Sequence, residues 1–219
     1  MLICPVHQFL FQNGVQTALK CLSGIGRLIY IKGTLCSSGG RGEPLERLDA
    51  IAQDILPHPL SLMQAFLPNG ISQAEWMTLR SGDGELLAIS EASGISLSVF
   101  ISLNARPTEC SLVAAGTEGT IHIDMFHGFS FIESGKVSRI RKIIHPFSLA
   151  INRFSAAALN LSQRAIQGEF AYPGLRQLID SFYGAVRCSA ASPISKTDTI
   201  AVARARDILA RPGAGGGYP

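Results

Sequence analysis

The strongest constraint on the fold comes from the middle of the chain, where apolar and polar residues alternate between closely spaced turns. From Glu75 to Ile132 the sequence repeats this period-two pattern, and turns rich in glycine or proline separate the repeats. Consecutive strands joined by so few residues must run antiparallel, because a parallel pair needs a crossover of a dozen or more residues. The pattern predicts a meander of five strands: Glu85–Glu91, Ile95–Leu103, Glu109–Ala115, Thr120–Met125 and Gly128–Glu133.

The segment before these strands mixes strand and helix patterns. It predicts a short strand over residues 1–7, a helix over Asn13–Leu22, a strand over Arg27–Cys36 and a helix over Leu45–Leu67. Pro57 and Pro59 should break or kink this last helix, because proline donates no backbone hydrogen bond.

Three further helices are predicted after the strands. The first carries an apolar stripe whose members recur at steps of four and three: Phe147, Ile151, Phe154, Ala158, Leu161 and Ala165. A second stripe runs from Leu175 to Val186. A third helix should begin at Ser195, which has the spacing of an N-terminal cap with Asp198, and end near Leu209.

This order of elements predicts one α+β domain over residues 1–210, followed by a flexible glycine-rich tail over residues 211–219. Its sheet should be mostly antiparallel, with helices packed on one face and the other face open. Residues of the predicted strands are apolar on both alternating sets in places, so we expect the open face to be buried against a second copy of the chain.

Composition narrows the class of protein. The chain has 219 residues, a net charge of +3 and scattered lysines and arginines, which argues against nucleic-acid binding. No stretch approaches the about 20 apolar residues of a membrane helix. The five cysteines are scattered without a C-x-x-C pair, as expected for buried thiols in a reducing compartment. With a start that is unlike a signal peptide, these features predict a soluble, cytoplasmic protein.

Three glycine-rich stretches are candidates for a dinucleotide-binding loop. Such a loop must follow a strand and open a helix, so that backbone N–H groups meet the pyrophosphate. Gly24 and Gly26 precede a predicted strand, residues 82–84 form a predicted hairpin turn, and residues 213–217 precede no helix. We therefore expect this chain to bind no cofactor by itself.

Asp54 and His58 form the most distinctive local pattern. Residues four apart share one face of a helix, so the carboxylate of Asp54 could orient the imidazole of His58. The flanking prolines mark an irregular backbone, which often borders a functional site. The alternative is a kinked helix with a structural histidine. His7, at the end of the first predicted strand, could face a cleft or merely cap the strand.

A second histidine-rich stretch suggests a metal site at first sight. His122 and Asp124 would share one face of a strand, and His127 would follow in a turn. Cysteines and further carboxylates are missing nearby, so we expect no bound metal. His145, before a proline at a predicted helix start, is expected to be structural.

Several of these stretches together resemble one family of enzymes. The opening from Pro5 to Leu28, the Asp54-x-x-x-His58 pattern, the run from Gly116 to Asp124 and the closing helices from Leu178 to Ser195 follow one another in a familiar order. The chain resembles the C-terminal domain of the glucose–fructose oxidoreductase, inositol dehydrogenase and rhizopine-catabolism (Gfo/Idh/MocA) type of NAD(P)-dependent oxidoreductase.

The resemblance has three departures. The glycine usual between the Asp and the His is Leu56 here, and an acidic residue common just after the His is Ser61. The family's nucleotide-binding domain and its Glu-Lys-Pro motif have no counterpart in these 219 residues.

The resemblance implies hydride transfer between a nicotinamide, NAD or NADP, and a sugar- or polyol-like hydroxyl or ketone. His58 would then be the general acid/base and Asp54 its partner, while His7 would lie in the substrate site. A separate nucleotide-binding domain would have to supply the cofactor. The resemblance also implies a homo-oligomer assembled through the open sheet face.

Two other interpretations remain open at the level of the sequence. The chain could be a non-catalytic binding or oligomerisation module derived from such an enzyme. It could also be a decayed fragment of one.

Overall fold

The computed structural model describes residues 2–37, 39–82, 84–136, 138–169 and 171–211, and these form an α+β fold around one seven-stranded sheet. The strands are β1 (Leu28–Cys36), β2 (Met77–Leu79), β3 (Glu85–Ala92), β4 (Ile95–Ser102), β5 (Glu109–Gly116), β6 (Gly119–Asp124) and β7 (Phe129–Ser134). The helices are α1 (Asn13–Lys20), α2 (Leu45–Ile55), α3 (Pro57–Phe66), α4 (Arg139–Gln167), α5 (Leu175–Arg187) and α6 (Lys196–Ala210). The predicted fold class is confirmed.

The order of strands differs from a simple meander. It runs β2-β3-β4-β1-β5-β6-β7, and β1 is parallel to β4 and antiparallel to β5. The prediction that consecutive strands pair throughout is therefore wrong between β4 and β5, which lie on either side of β1. The connection over residues 103–108 has to cross two strand spacings, or about 10 Å, and six residues can span up to about 20 Å. A short connection thus fixes antiparallel direction but does not require direct pairing.

The predicted strand over residues 1–7 is also wrong. Residues 2–7 are described and belong to no strand, and a short 3-10 helix follows over Gln8–Phe11. Pro5 offers no N–H to a sheet, and its carbonyl instead accepts a hydrogen bond from His7 N–H at 2.9 Å. This three-residue turn bends the backbone away from extended geometry.

One layer of helices covers one face of the sheet. Side chains that alternate along the strands, such as Ile31, Val99 and Ile121, are fully buried. They belong to the same core as Phe66 of α3 and Leu209 of α6. The core therefore lies between the sheet and the layer that contains α3 and α6.

The predicted break at the two prolines is confirmed, since α2 ends at Ile55 and α3 begins at Pro57. Leu56 N–H still bonds to Ala52 O at 3.1 Å, and Leu60 N–H bonds to Leu56 O at 3.3 Å. Between them Pro57 and Pro59 donate nothing. A Cβ at Gly33 of β1 would lie 3.1 Å from Pro59 Cβ, so the glycine lets this start of α3 approach the sheet closely.

The long helix α4 has a different position, along the edge strand β7. His145 Nε2 lies 3.2 Å from Glu133 Oε1, and Asn160 Nδ2 donates to His127 O at 2.9 Å. Most of its large apolar side chains are exposed. Within the described residues, no helix is both long and apolar enough to span a membrane.

The cap predicted for the last helix is confirmed. Asp198 N–H donates to Ser195 Oγ at 3.0 Å at the start of α6. Residues 212–219 of the predicted flexible tail lie outside the described residues.

Candidate functional site

His58 is the second residue of α3 and its imidazole is half-buried. The ring packs on Phe9, with ring centroids 4.6 Å apart and planes tilted by 40°. Its Nδ1 atom is buried and has no hydrogen-bond partner among the described residues. Burial lowers the pKa of His58, because a charged imidazolium loses its hydration there. His58 is therefore a neutral imidazole at neutral pH.

His7 lies close enough to His58 for their charges to interact, and it sits in a turn and not at the end of a strand. Its side chain is buried, and its ring makes no hydrogen bond within the described chain. Burial, together with the nearby charge of His58 when that residue is protonated, lowers the pKa of His7 to about 4. Both imidazoles are consequently proton acceptors at neutral pH.

Asp54 does not pair with His58. Its side chain is exposed, and it makes no hydrogen bond or ion pair with any described residue. The expected contact depended on a regular helix, in which residues four apart share a face. Here Asp54 belongs to α2 and His58 to α3, and the two prolines interrupt the hydrogen bonds between the helices. The structure keeps Asp54 and His58 in one region of the chain but not in contact.

A cavity of about 240 Å³ opens beside His7, between the first helical segments, α3 and α6. Ser61, Gln64 and Asp198 supply further polar groups to its wall. Gln64 Nε2 donates to Asp198 Oδ1 at 2.8 Å, while Gln64 Oε1 accepts from Ile71 N–H at 2.8 Å. This arrangement holds a carboxylate and an amide at fixed positions near an unprotonated imidazole. Such a wall can bind a small polyhydroxylated molecule by hydrogen bonds.

Gln64 and Asp198 line the cavity but are not among the site residues predicted from the sequence. One signal was available for Gln64: His58, Ser61 and Gln64 recur every three residues and form a polar row on an otherwise apolar helix. Asp198 had no comparable signal, because it was interpreted only as a capping residue of α6.

The histidines on the other side of the sheet have acidic partners. His122 Nε2 lies 3.0 Å from Glu133 Oε2, and His127 Nδ1 lies 2.8 Å from Asp124 Oδ2. His122 and Asp124 line a cleft of about 460 Å³ that Arg153 of α4 also borders. Among the residues that the structure describes, no group of three His, Cys, Asp or Glu side chains could hold a metal ion.

The cysteines are all free. Burial raises the pKa of Cys110 to about 12 and also raises the pKa of Cys36. These two thiols therefore stay protonated and weakly nucleophilic at neutral pH.

The described residues do not fit a dinucleotide. Gly24 and Gly26 lead into β1 and not into a helix. A strand, a glycine-rich loop and a helix do follow one another from β1 through Gly39, Gly40 and Gly42 to α2. This loop is not among the dinucleotide-binding candidates named from the sequence. It lacks the Gly-x-Gly-x-x-Gly spacing, and its helix carries the acidic Glu46 in the first turn, which would repel a phosphate.

Comparison with solved structures relates this fold to dehydrogenases. UDP-N-acetylglucosamine 3-dehydrogenase GnnA from Acidithiobacillus ferrooxidans superposes over 95% of this chain and 60% of its own, with a TM-score of 0.64 and 11% identity. The WlbA dehydrogenase from Bordetella pertussis, in complex with NADH and UDP-GlcNAcA, superposes over 93% of this chain and 60% of its own, with a TM-score of 0.60 and 13% identity.

Levoglucosan dehydrogenase, in complex with NADH and levoglucosan, superposes over 64% of this chain and 45% of its own, with a TM-score of 0.51 and 18% identity. The chain thus spans 60% or less of the length of each of these three enzymes. No protein-family model and no curated protein matches the sequence. The chain shares its fold with part of each of these dehydrogenases.

Proposed function

We propose that this chain is the substrate-binding and oligomerisation part of an NAD(P)-dependent oxidoreductase of the Gfo/Idh/MocA type. Its substrate would be a sugar- or polyol-like hydroxyl or ketone. The observation that carries the proposal is the pair of neighbouring unprotonated imidazoles, His7 and His58, of which His7 lines a polar-walled cavity. The shared fold supports it, because the dehydrogenases compared above are named for UDP-N-acetylglucosamine and levoglucosan.

His58 is the general acid/base in this proposal. A hydroxyl that is oxidised must give up its proton, and a neutral imidazole can accept it. Because Nδ1 of His58 is buried, Nε2 would be the atom that accepts the proton. His7 would contact the substrate from the cavity wall, with Gln64 and Asp198 beside it.

Asp54 is assigned to orient His58 only in the assembled enzyme. Its carboxylate is exposed at the surface next to the start of α3, where a nucleotide-binding domain would cover it. NAD or NADP would be bound by that separate domain, since the described residues offer no dinucleotide site.

A non-catalytic binding or oligomerisation module is the second candidate function. It is favoured by one observation, the lack of contact between Asp54 and His58 in the described chain. Under this alternative the cavity binds a ligand, but substitution of His58 changes no reaction rate.

Ligand binding is tested by histidine-selective NMR of the imidazole nitrogens. UDP-N-acetylglucosamine, myo-inositol and levoglucosan are titrated separately, and NAD⁺ serves as the negative control. We expect at least one of the three sugars or polyols to shift the His7 and His58 signals, while the His127 signal stays unchanged. Saturable NAD⁺ binding to the chain, or the absence of any shift with all three compounds, would contradict the proposal.

Catalysis is tested by adding a separately expressed cognate nucleotide-binding domain. We expect His58→Ala to lower turnover by about two to four orders of magnitude, the usual contribution of a general base. His127→Ala is the matched control, because that imidazole lies on a different surface and is exposed. Full activity of the His58→Ala protein would favour the non-catalytic module.

A further inference from the structure

The most unusual surface of the molecule is the outward face of α4. Seven residues of this helix recur at alternating steps of three and four, and we call them the α4 seam: Ile144, Phe147, Ile151, Phe154, Ala158, Leu161 and Ala165. Its five large side chains are between 47% and 74% exposed. A spacing of three and four sustained over three heptads is the pattern by which one helix packs along another.

A different side of α4 packs against the rest of the domain. The half-buried residues Leu149, Asn160 and Arg164 face β7 and the turn after β6. Asn160 Nδ2 and Arg164 Nη1 both donate to His127 O, at 2.9 and 3.0 Å. The helix is thus fixed to the domain by Leu149 and by polar groups, and most of its large apolar side chains point outward.

We propose that the α4 seam pairs with the α4 seam of a second copy of this chain, with the two helices antiparallel. A two-fold axis between Asn152 and Arg153 would place Ile151 of each copy against Phe154 of the other. In the same register Phe147 lies against Ala158, and Ile144 against Leu161. Each layer of the contact therefore combines side chains of complementary size, as an isologous interface requires.

The absence of charged residues from the seam permits self-pairing. The seam itself is uncharged, and Ser148, Ser155 and Ser162 border it on its exposed side. Arg164 lies next to the C-terminal end of the seam. Its guanidinium points toward the domain, where it donates hydrogen bonds to the carbonyl oxygens of His127 and Glu169. The central layers of the proposed contact, from Phe147 to Ala158, therefore bring no charged seam residues together.

The size of the seam is adequate for a stable contact. It extends over 22 residues, which corresponds to about 33 Å of helix. Five large side chains with about 100 Å² of exposed surface each offer on the order of 500 Å² per copy. Leu159 and Ile166, which are 65% and 87% exposed beside the seam, extend this area toward the about 800 Å² that each partner buries in a standard interface.

The first test is the mass of the 219-residue chain in solution, measured by sedimentation velocity at micromolar concentration. We expect Phe154→Glu to halve the mass of the assembly, because it places a carboxylate in the central layer. Gln163→Glu is the matched control: it adds the same charge to an exposed position on another side of α4 and should leave the mass unchanged. Circular dichroism verifies that both variants remain folded.

The second test addresses the antiparallel register. Ile151→Lys and Phe154→Glu proteins should each fail to pair through α4, but an equal mixture should form heterodimers. In the mixture one central layer contains Lys and Glu, and the other keeps Phe154 against Ile151. A wild-type chain that is monomeric, or a Phe154→Glu protein with unchanged mass, would overturn the proposal. A mixture that does not associate would overturn the register.

Discussion

At the scale of single residues, burial of two histidines sets the chemistry of the candidate site. His7 and His58 lie near each other and are both largely shielded from water, and burial lowers the pKa of each. A neutral imidazole can accept a proton or a hydrogen bond from a hydroxyl. This environment also makes the stability of the fold depend on pH.

We expect the free energy of unfolding to decrease as pH falls from about 6.5 to about 4. In the unfolded chain His7 takes up its proton near pH 6.5, whereas in the folded chain the pKa of His7 is about 4. The unfolded state therefore binds more protons in this window and gains stability on acidification. The contribution of His7 is fully present above about pH 6.5, and about 1–2 kcal/mol of it is lost by about pH 5.

Urea unfolding at neutral and mildly acidic pH checks this prediction. His7→Gln should reduce the pH dependence by that amount, since glutamine does not titrate. His127→Gln is the control, because His127 is exposed. An unchanged pH dependence in the His7→Gln protein would show that His7 is not buried as described.

The sequence allowed only part of this site to be predicted. His7 and His58 are candidate site residues in the sequence, and the structure places them near each other, but the contact expected between Asp54 and His58 is not formed. Helix periodicity cannot reveal how far two prolines displace a side chain. Asp198 contacts Gln64 across 134 residues of sequence, and no local pattern reports a contact of that separation.

At the scale of elements, the turn before β1 is fastened to the hairpin between β5 and β6. Glu118 N–H donates to Ile25 O at 2.9 Å, and Thr117 N–H donates to Arg27 O at 3.0 Å. Gly116 lies against the backbone of Ile25, where an added Cβ would overlap the carbonyl oxygen. The absence of a side chain at this position therefore allows the two segments to meet.

We expect Gly116→Ala to destabilise the chain by about 1–3 kcal/mol, because two backbone segments must separate. Gly24→Ala is the matched control: an added Cβ there has no heavy atom within 4 Å. Thermal or urea unfolding of the two proteins measures the difference. Equal stabilities would show that the hairpin and the turn are not in close contact.

Most elements were predictable from periodicity, since alternation and helical stripes reflect burial directly. The bounds of β3 to β7 and of α5 and α6 agree with the predicted ones to within a few residues. Pairing was less predictable, because the insertion of β1 between β4 and β5 depends on the whole sheet. The stripe on α4 was recognised, but a pattern alone cannot distinguish a buried stripe from an exposed one.

At the scale of the whole molecule, we expect the open sheet face to contribute a second contact between copies. Met77, Leu79 and Ile89 lie together on β2 and β3 and are 61%, 55% and 44% exposed. Burying them against another copy removes apolar surface from water, which favours association by roughly 25 cal/mol for each Å². This contact is separate from the α4 seam, which lies at the opposite edge of the sheet.

Substitution of Ile89 tests the sheet contact. Ile89→Glu should weaken association by at least about tenfold, since it places a charge in an apolar contact. Ile179→Glu is the matched control, because Ile179 of α5 has the same exposed fraction of 44%. Sedimentation equilibrium of both proteins provides the comparison. If both variants, or neither, weaken association, the sheet face is not the contact.

The central position of β1 has a consequence for how the chain is made on the ribosome. β1 is synthesised first among the strands, yet its two neighbours, β4 and β5, follow roughly 60 or more residues later. At about 5–20 residues per second, β1 waits several seconds before either neighbour emerges. During that time Ile31 and Leu35, which end up buried, have no sheet to join. The newly made chain should therefore depend on chaperones more than its size suggests.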